Sequence, residues 1–267
     1  DLEVEGSIQL GPSPSLSLTA QGRTDATILS ILDSGLQASG RSEVKLRVSG
    51  SPEHPLLYGT LNVHDTSLSY ADFPFRLTGL AGEVALDGDR ATFRSLRGTS
   101  GGGAVVLSGF VTFADSPRFN LQAALAQVRI RYPIDLTSVL DGNLKLTGST
   151  ERAQIGGEVI VRQISPGENF NWLARLGAAA ATEGVKPPAL ASPFAPRVRL
   201  DVQVSSAPAV RFETHDLRLL AEIDMHLQGT LANPVQVGTL QIISGEVVFR
   251  GNRFKLDHGY INLTNPY

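Results

Sequence analysis

Cysteine is absent from all 267 residues. Its absence removes disulfides, thiolate metal sites and cysteine nucleophiles together, and it suits a bacterial periplasm, where stray thiols are oxidised. Charge is also scarce. Asp, Glu, Lys and Arg make up 18% of the chain, against about a quarter in ordinary soluble domains. The formal net charge is −3, and Lys and Arg are scattered singly. Phosphate binding needs concentrated positive charge, so no nucleic acid partner is expected. No run of about eighteen apolar residues occurs, so no helix that spans a bilayer is expected. The chain opens Asp1-Leu2-Glu3-Val4 without methionine and stops at Asn265-Pro266-Tyr267. It is expected to be a piece of a longer protein, and missing targeting signals then say little about location.

Catalytic patterns are thin as well. His54, His64, His215, His226 and His258 are dispersed, with no pair at metal-ligand spacing on one element. His64-Asp65 and His215-Asp216 have no Gly-x-Ser-x-Gly elbow to present a nucleophile. Gly98-Thr-Ser-Gly-Gly-Gly103 lacks the lysine of a phosphate loop and precedes a strand, Ala104-Val-Val-Leu107, where a phosphate loop precedes a helix. The carboxylates alternate outward with Lys and Arg, so no glycosidase pair emerges. The chain reads as a non-enzyme, with no catalytic residue, metal or cofactor.

What the chain does have is alternation. Hydrophobic residues make up 42%, enough for a substantial core. They recur at every second position in Val44-Lys45-Leu46-Arg47-Val48, Phe119-Asn120-Leu121-Gln122-Ala123, Val198 to Val204 and Ile223-Asp224-Met225-His226-Leu227. Period two means strands with one apolar and one polar face. The fold class is therefore all-β, a β-rich meander that is antiparallel or mixed. Two stretches depart from it. Asp25 heads a short helix candidate from Thr24 to Leu32. Glu168 to Thr182 is alanine-rich, a stronger helix candidate, and is followed by four prolines between Lys186 and Arg197. Residues 168–197 are read as an insertion in one continuous segment, 1–267, because the strand grammar resumes at Val198.

One phrase occurs three times, as Leu46-Arg47-Val48-Ser49-Gly50, Leu144-Lys145-Leu146-Thr147-Gly148 and Met225-His226-Leu227-Gln228-Gly229. A second glycine follows each at nine residues: Gly59, Gly157 and Gly238. Leu61 and Val63, Val159 and Val161, and Leu240 and Ile242 then alternate in step. Each unit reads as strand, turn, strand, with the first glycine free to take angles a β-carbon forbids and the second permitting a bulge or sharp bend. A hairpin cannot bury its apolar face alone, so such units must stack. The candidate face comprises Leu46, Val48, Leu61, Val63, Leu144, Leu146, Val159, Val161, Met225, Leu227, Leu240, Ile242, Phe249, Phe254 and Leu256. Two arrangements would use it: a dry sandwich packed against a second sheet, or an open groove lined for apolar guests. Periodicity does not decide between them.

The run Val128-Arg-Ile-Arg-Tyr-Pro133 followed by Asp141-Gly-Asn-Leu-Lys-Leu-Thr-Gly148 resembles the carboxy-terminal region of TamB proteins. So do Leu227-Gln-Gly-Thr-Leu-Ala-Asn-Pro234, Gly245-Glu-Val-Val-Phe249, Gly251-Asn-Arg-Phe254, Gly259-Tyr-Ile-Asn-Leu263 and Asn265-Pro266. The similarity is clear over Val128 to Tyr267 and looser over Glu43 to Phe113. It implies a long curled sheet, taco-like, with an apolar inner groove for phospholipid acyl chains. It also implies a periplasmic setting in a diderm bacterium, an inner-membrane anchor helix that this chain lacks, and an outer-membrane barrel partner of the TamA/BamA type. The function implied is phospholipid transport between the two membranes, linked to outer-membrane assembly. The alternative is a scaffold that lends a strand edge by β-augmentation during barrel insertion or autotransporter secretion. A passive surface adhesin is a third reading. For a lipid with about thirty methylenes, leaving water matters by roughly 24 kcal/mol, at about 0.8 kcal/mol per CH₂. A groove that replaces most of that contact must be free of unpaired charge.

Overall fold

The computed structural model describes residues 2–11, 14–27, 35–70, 76–113, 117–132, 135–167, 170 and 194–263. Among them the regular structure is all strand apart from short 3-10 turns, including Ala195–Arg197. No helix among the described residues is long and apolar enough to cross a membrane. The strands are β1 (Leu2–Gln9), β2 (Ser15–Asp25), β3 (Leu36–Gly50), β4 (Pro55–Tyr70), β5 (Arg76–Gly88), β6 (Arg90–Ser100), β7 (Gly103–Thr112) and β8 (Arg118–Arg131). They continue as β9 (Leu136–Ser149), β10 (Ala153–Pro166), β11 (Val198–Ser206), β12 (Val210–Glu213), β13 (Leu217–Gly229), β14 (Pro234–Phe249), β15 (Asn252–Leu256) and β16 (Gly259–Leu263).

Hydrogen bonding joins them into one sixteen-stranded sheet that follows chain order from β1 to β11, then β13, β14 and β15; β12 lies on β13 and β16 on β14. The order does not close on itself. Neighbours joined by tight turns are antiparallel, as short connections require. β10 and β11 instead run parallel, from Ala153↔Val198 to Val161↔Ser206. The intervening residues, 167 to 197, give the chain length that a parallel crossover needs.

Thr24 and Asp25 end β2, so the helix expected from Thr24 does not begin there. Asp25 still caps the turn that follows, its Oδ1 accepting from the Thr27 backbone N–H at 2.8 Å. The remainder of that candidate, residues 28–32, lies outside the described residues, as do the helix candidate at 168–182 apart from Phe170 and the prolines at 187, 188 and 193.

The chain forms two compact units, the first from residues 1–100, 104–124 and 146–151, the second from 101–103, 125–145 and 152–267. In the first, Val63, Leu80, Val84, Ala91 and Leu96 form a buried cluster, with Leu61, Leu68, Leu77, Leu86, Phe93 and Leu107 packed against it. In the second, Val159, Val161, Val202, Val204, Val210 and Ile223 play that part. Among the described residues both clusters are drawn from strands of the one curled sheet, and in the second unit Phe170, outside the strands, packs edge-on against Phe212 with ring centroids 5.3 Å apart. Bulges assist the bend: register shifts fall between Ser39 and Arg41, between Val63 and Leu68, and between Thr78 and Val84 in the first unit, and at Leu220/Ala221 in the second. Asp65, at φ +48°, supplies one of them.

The repeated glycines have a specific geometry. Gly59 has φ +138° and lies opposite Leu46, with the carbonyl oxygen of Lys45 only 2.0 Å from where a β-carbon would stand. Gly157 and Gly238 repeat this against the carbonyls of Asn143 and Asp224, at 2.1 and 2.3 Å. Register is continuous through Gly59 and Gly238. The second glycine of each phrase thus serves close strand approach, not a bulge. The first, as at Gly50 with φ +94°, closes the turn.

Candidate functional site

Residues paired across a ladder point to the same side of the sheet, so register assigns every side chain to a face. In the first unit one cross-strand row reads Val4, Ala20, Leu46, Gly59, Leu86, Ala91. The next reads Leu2, Gly22, Val44, Leu61, Val84, Phe93. Neither row carries a charged or hydrogen-bonding side chain. One position over, on the reverse side, the row reads Glu5, Thr19, Arg47, Tyr58, Asp87, Arg90. Alternation in sequence has become two faces of opposite chemistry across six strands.

The second unit repeats the division. Val159, Val204, Met225, Gly238 and Leu263 form one row. Ile223, Leu240 and Ile261 form the next, and Leu217, Val247 and Phe254 another. The reverse side carries Glu158, Gln203 and His226 in register. The apolar side is not wholly hydrocarbon, since Gln236 pairs with Leu227 on it, but no row traced on it contains a charge.

The fifteen candidate residues fall on these apolar sides with different degrees of cover. Val63, Val159 and Val161 are buried in the clusters. Leu46, Val48, Leu61, Leu144, Leu146, Met225, Leu227, Leu240, Ile242 and Leu256 are half-buried. Phe249 and Phe254 are open, 43% and 51% exposed. Sequence reasoning left out Val44, Val84, Phe93, Val202, Val204 and Ile223, which share the same rows and carried the same period-two signal. It also left out β1 and β2. On β1 the apolar side is barely covered, with Val4 57% and Ile8 56% exposed, while on β2 Leu16, Leu18 and Ala20 are half-buried. An open depression on β2, β3 and β4 is lined by Thr19, Gln21, Lys45, Arg47, Ser49 and Tyr58 of the polar side together with Ala20, Leu46 and Gly59.

Polar contacts cluster on the reverse face. His226 lies 2.7 Å from Asp201 through Nε2 and 3.2 Å from Gln203 Oε1 through Nδ1. Gln154 donates to Asp201 Oδ2 at 3.1 Å, and Gln203 donates to Asp224 Oδ1 at 2.7 Å. Both ring nitrogens thus lie against oxygen atoms of β11 side chains. Asp141 is the other centre. Its carboxylate accepts from the Gln127 backbone N–H and from Arg162 Nε, each at 2.6 Å, while Arg162 also donates to the Ala207 carbonyl. Gln127 adopts φ +55° to present that N–H.

The Gln127 N–H and then the Arg162 hydrogen bond hold the Asp141 carboxyl below its ordinary value of 3.8. A depressed folded-state pKa adds stability above the unfolded value, lost as pH falls through the folded one. Asp141→Asn is therefore expected to lower the urea midpoint at pH 7 and to flatten its decline below about pH 4. Parallel curves for the two proteins down to pH 2 would refute the assignment.

A family model, the TamB C-terminal domain, matches residues 94–266. The match begins well before Val128, and of the looser stretch from Glu43 to Phe113 it takes in only the end. No curated protein and no solved structure matches the chain in the corresponding comparisons.

Proposed function

The chain belongs to the TamB family, and from that premise we propose that it is a non-enzymatic segment that shields phospholipid acyl chains on its apolar face. Its setting on this reading is the periplasm of a diderm bacterium, where a longer chain would connect inner-membrane lipid to an outer-membrane barrel of the TamA/BamA type. One observation carries the reading: within each unit, uncharged rows lie on one side of the strands and are half-exposed over much of their length among the described residues. Burying about thirty methylenes needs area without charge, not a shaped pocket. Half-exposed Leu, Val and Met supply such area.

The test is photocrosslinking in membranes. Benzophenone side chains at Leu46 and Leu227 should label phospholipid, and those at Lys45 and His226, one residue away on the reverse face, should not. Equal labelling of both pairs would end the proposal.

Strand donation has one observation in its favour. β1 pairs only with β2 among the described residues and is exposed along its whole length. An unpaired edge is a template for another strand. In the same experiment it would give protein adducts at Glu3 and Glu5 in place of lipid adducts at Leu46.

A further inference from the structure

Every residue from Phe249 to Lys255 is exposed, and beside the two phenylalanines of the apolar face this hairpin carries basic residues that the acyl-chain reading does not use. β14 and β15 are joined by two residues, Arg250 and Gly251, at φ +49° and +79°. Two successive positive angles define a type I′ hairpin turn, where asparagine followed by glycine is the favoured pair. An arginine in the first position has a β-carbon in the left-handed region and none of asparagine's local hydrogen bonding to compensate. A β-carbon on Gly251 would meet nothing within 4 Å, so the tip stands in open solvent. A strained residue held at an exposed tip is a marker of contact with something else.

The surroundings specify what that contact is. Phe254 lies opposite Val247, and Phe249 is two residues along from Val247, so the two rings share one side of the hairpin. The Arg250 guanidinium sits 5.5 Å from the Phe249 ring centroid and has no carboxylate partner among the described residues. Arg253 and Lys255 point to the other side, each in an exposed ion pair, with Glu246 at 3.1 Å and Asp257 at 3.4 Å. Exposed pairs of this kind hold their charges loosely. Two open phenylalanines beside Arg250, with two loosely paired cations on the other side of the hairpin, match the headgroup zone of a bilayer, where aromatic rings sit at the interface and basic residues meet anionic lipid.

We propose that the β14–β15 hairpin docks onto the surface of a bilayer bearing anionic phospholipid, with Phe249 and Phe254 entering the interface and Arg250 meeting phosphate. This goes beyond the shielding of acyl chains and does not depend on it.

The test is co-sedimentation of the full chain with vesicles of phosphatidylcholine, alone or with about a third phosphatidylglycerol. Binding to the anionic vesicles is expected, with a fall as salt rises from about 0.05 M to about 0.5 M. Phe249→Ser combined with Phe254→Ser should weaken binding roughly tenfold, and Arg250→Asn about fivefold. Arg250→Asn should also raise the thermal midpoint, because asparagine relieves the turn; a purely structural arginine would move it the other way. No binding by the native chain, a preference for neutral vesicles, or variants that bind like the native chain would each overturn the proposal. So would a lowered midpoint in Arg250→Asn. Lipid labelling from Leu227 persists in these variants if both readings hold. Its absence from the native chain, with vesicle binding intact, counts against acyl-chain shielding alone.

Discussion

Gly59→Ala is expected to cost more than about 4 kcal/mol and to leave the first unit unfolded at 37 °C. Two penalties combine. The backbone at φ +138° is a region that L side chains rarely adopt, and the added carbon would stand 2.0 Å from the Lys45 carbonyl oxygen. The obstacle is main chain, so no rotamer change relieves it; β3 and β4 must separate and give up ladder hydrogen bonds on both sides. Gly79→Ala is the control. It also lies in the first unit, at φ +60°, but nothing stands within 4 Å of its added carbon. It should cost about 1 kcal/mol, the left-handed penalty alone. Urea melts followed by circular dichroism separate the two. If both glycines tolerate alanine equally, close strand approach is not what the repeated phrase encodes. Gly157→Ala and Gly238→Ala should behave like Gly59→Ala, since the same carbonyl contact recurs.

The second large effect concerns cargo. Leu46→Asp and Leu227→Asp, one in each unit, should each reduce co-purified phospholipid more than about a hundredfold at their own site, since an unpaired carboxylate among acyl chains costs several kcal/mol. Aspartate is chosen because the stem of an arginine could lie along the apolar surface and carry its charge out to water. Thr60→Asp, on the reverse side beside Lys45, should leave lipid content unchanged. Mass spectrometry of lipid extracted from the purified proteins gives the answer, with a thermal melt to show that each variant is folded. Full lipid content in a folded Leu46→Asp and Leu227→Asp double variant would remove the basis for acyl-chain shielding.

The division into two faces was readable from the sequence because period two survives translation into register. Val44, Leu46 and Val48 alternate in the chain and stand side by side on one surface of β3. The phrase beginning at Leu46, Leu144 and Met225 likewise marked where a strand ends, while its second glycine, read as a bend, is a place of close approach between strands. Legibility fails where one residue is inserted. The shifts between Val63 and Leu68 change the alternation locally, and Thr66, a polar residue that alternation alone would leave outside, becomes fully buried beside Leu80. Degree of cover was equally invisible. Val159 and Phe249 follow the same alternation, yet one is in a buried cluster and the other is open, because cover depends on how many strands flank a position and how tightly they curl. The Asp141 carboxylate joins a backbone N–H fourteen residues earlier to an arginine twenty-one residues later. No local pattern announces such a brace. The parallel pairing of β10 with β11 was not readable either, since the same alternating strand fits either direction.

That parallel pair also sets an order of assembly. Antiparallel neighbours such as β3 and β4 are separated by four residues, 51 to 54, and can zip as soon as they are made. The seam between β10 and β11 must first bring together residues forty-five apart in sequence, such as Ala153 and Val198, at an added entropic cost of about 2 kcal/mol by the logarithmic scaling of loop closure. Non-local pairing of this kind slows folding. A ribosome releasing this chain would thus present a zipped amino-terminal meander ending at β10, whose bare edge waits for β11 and is, for that interval, the place most open to capture by a foreign strand.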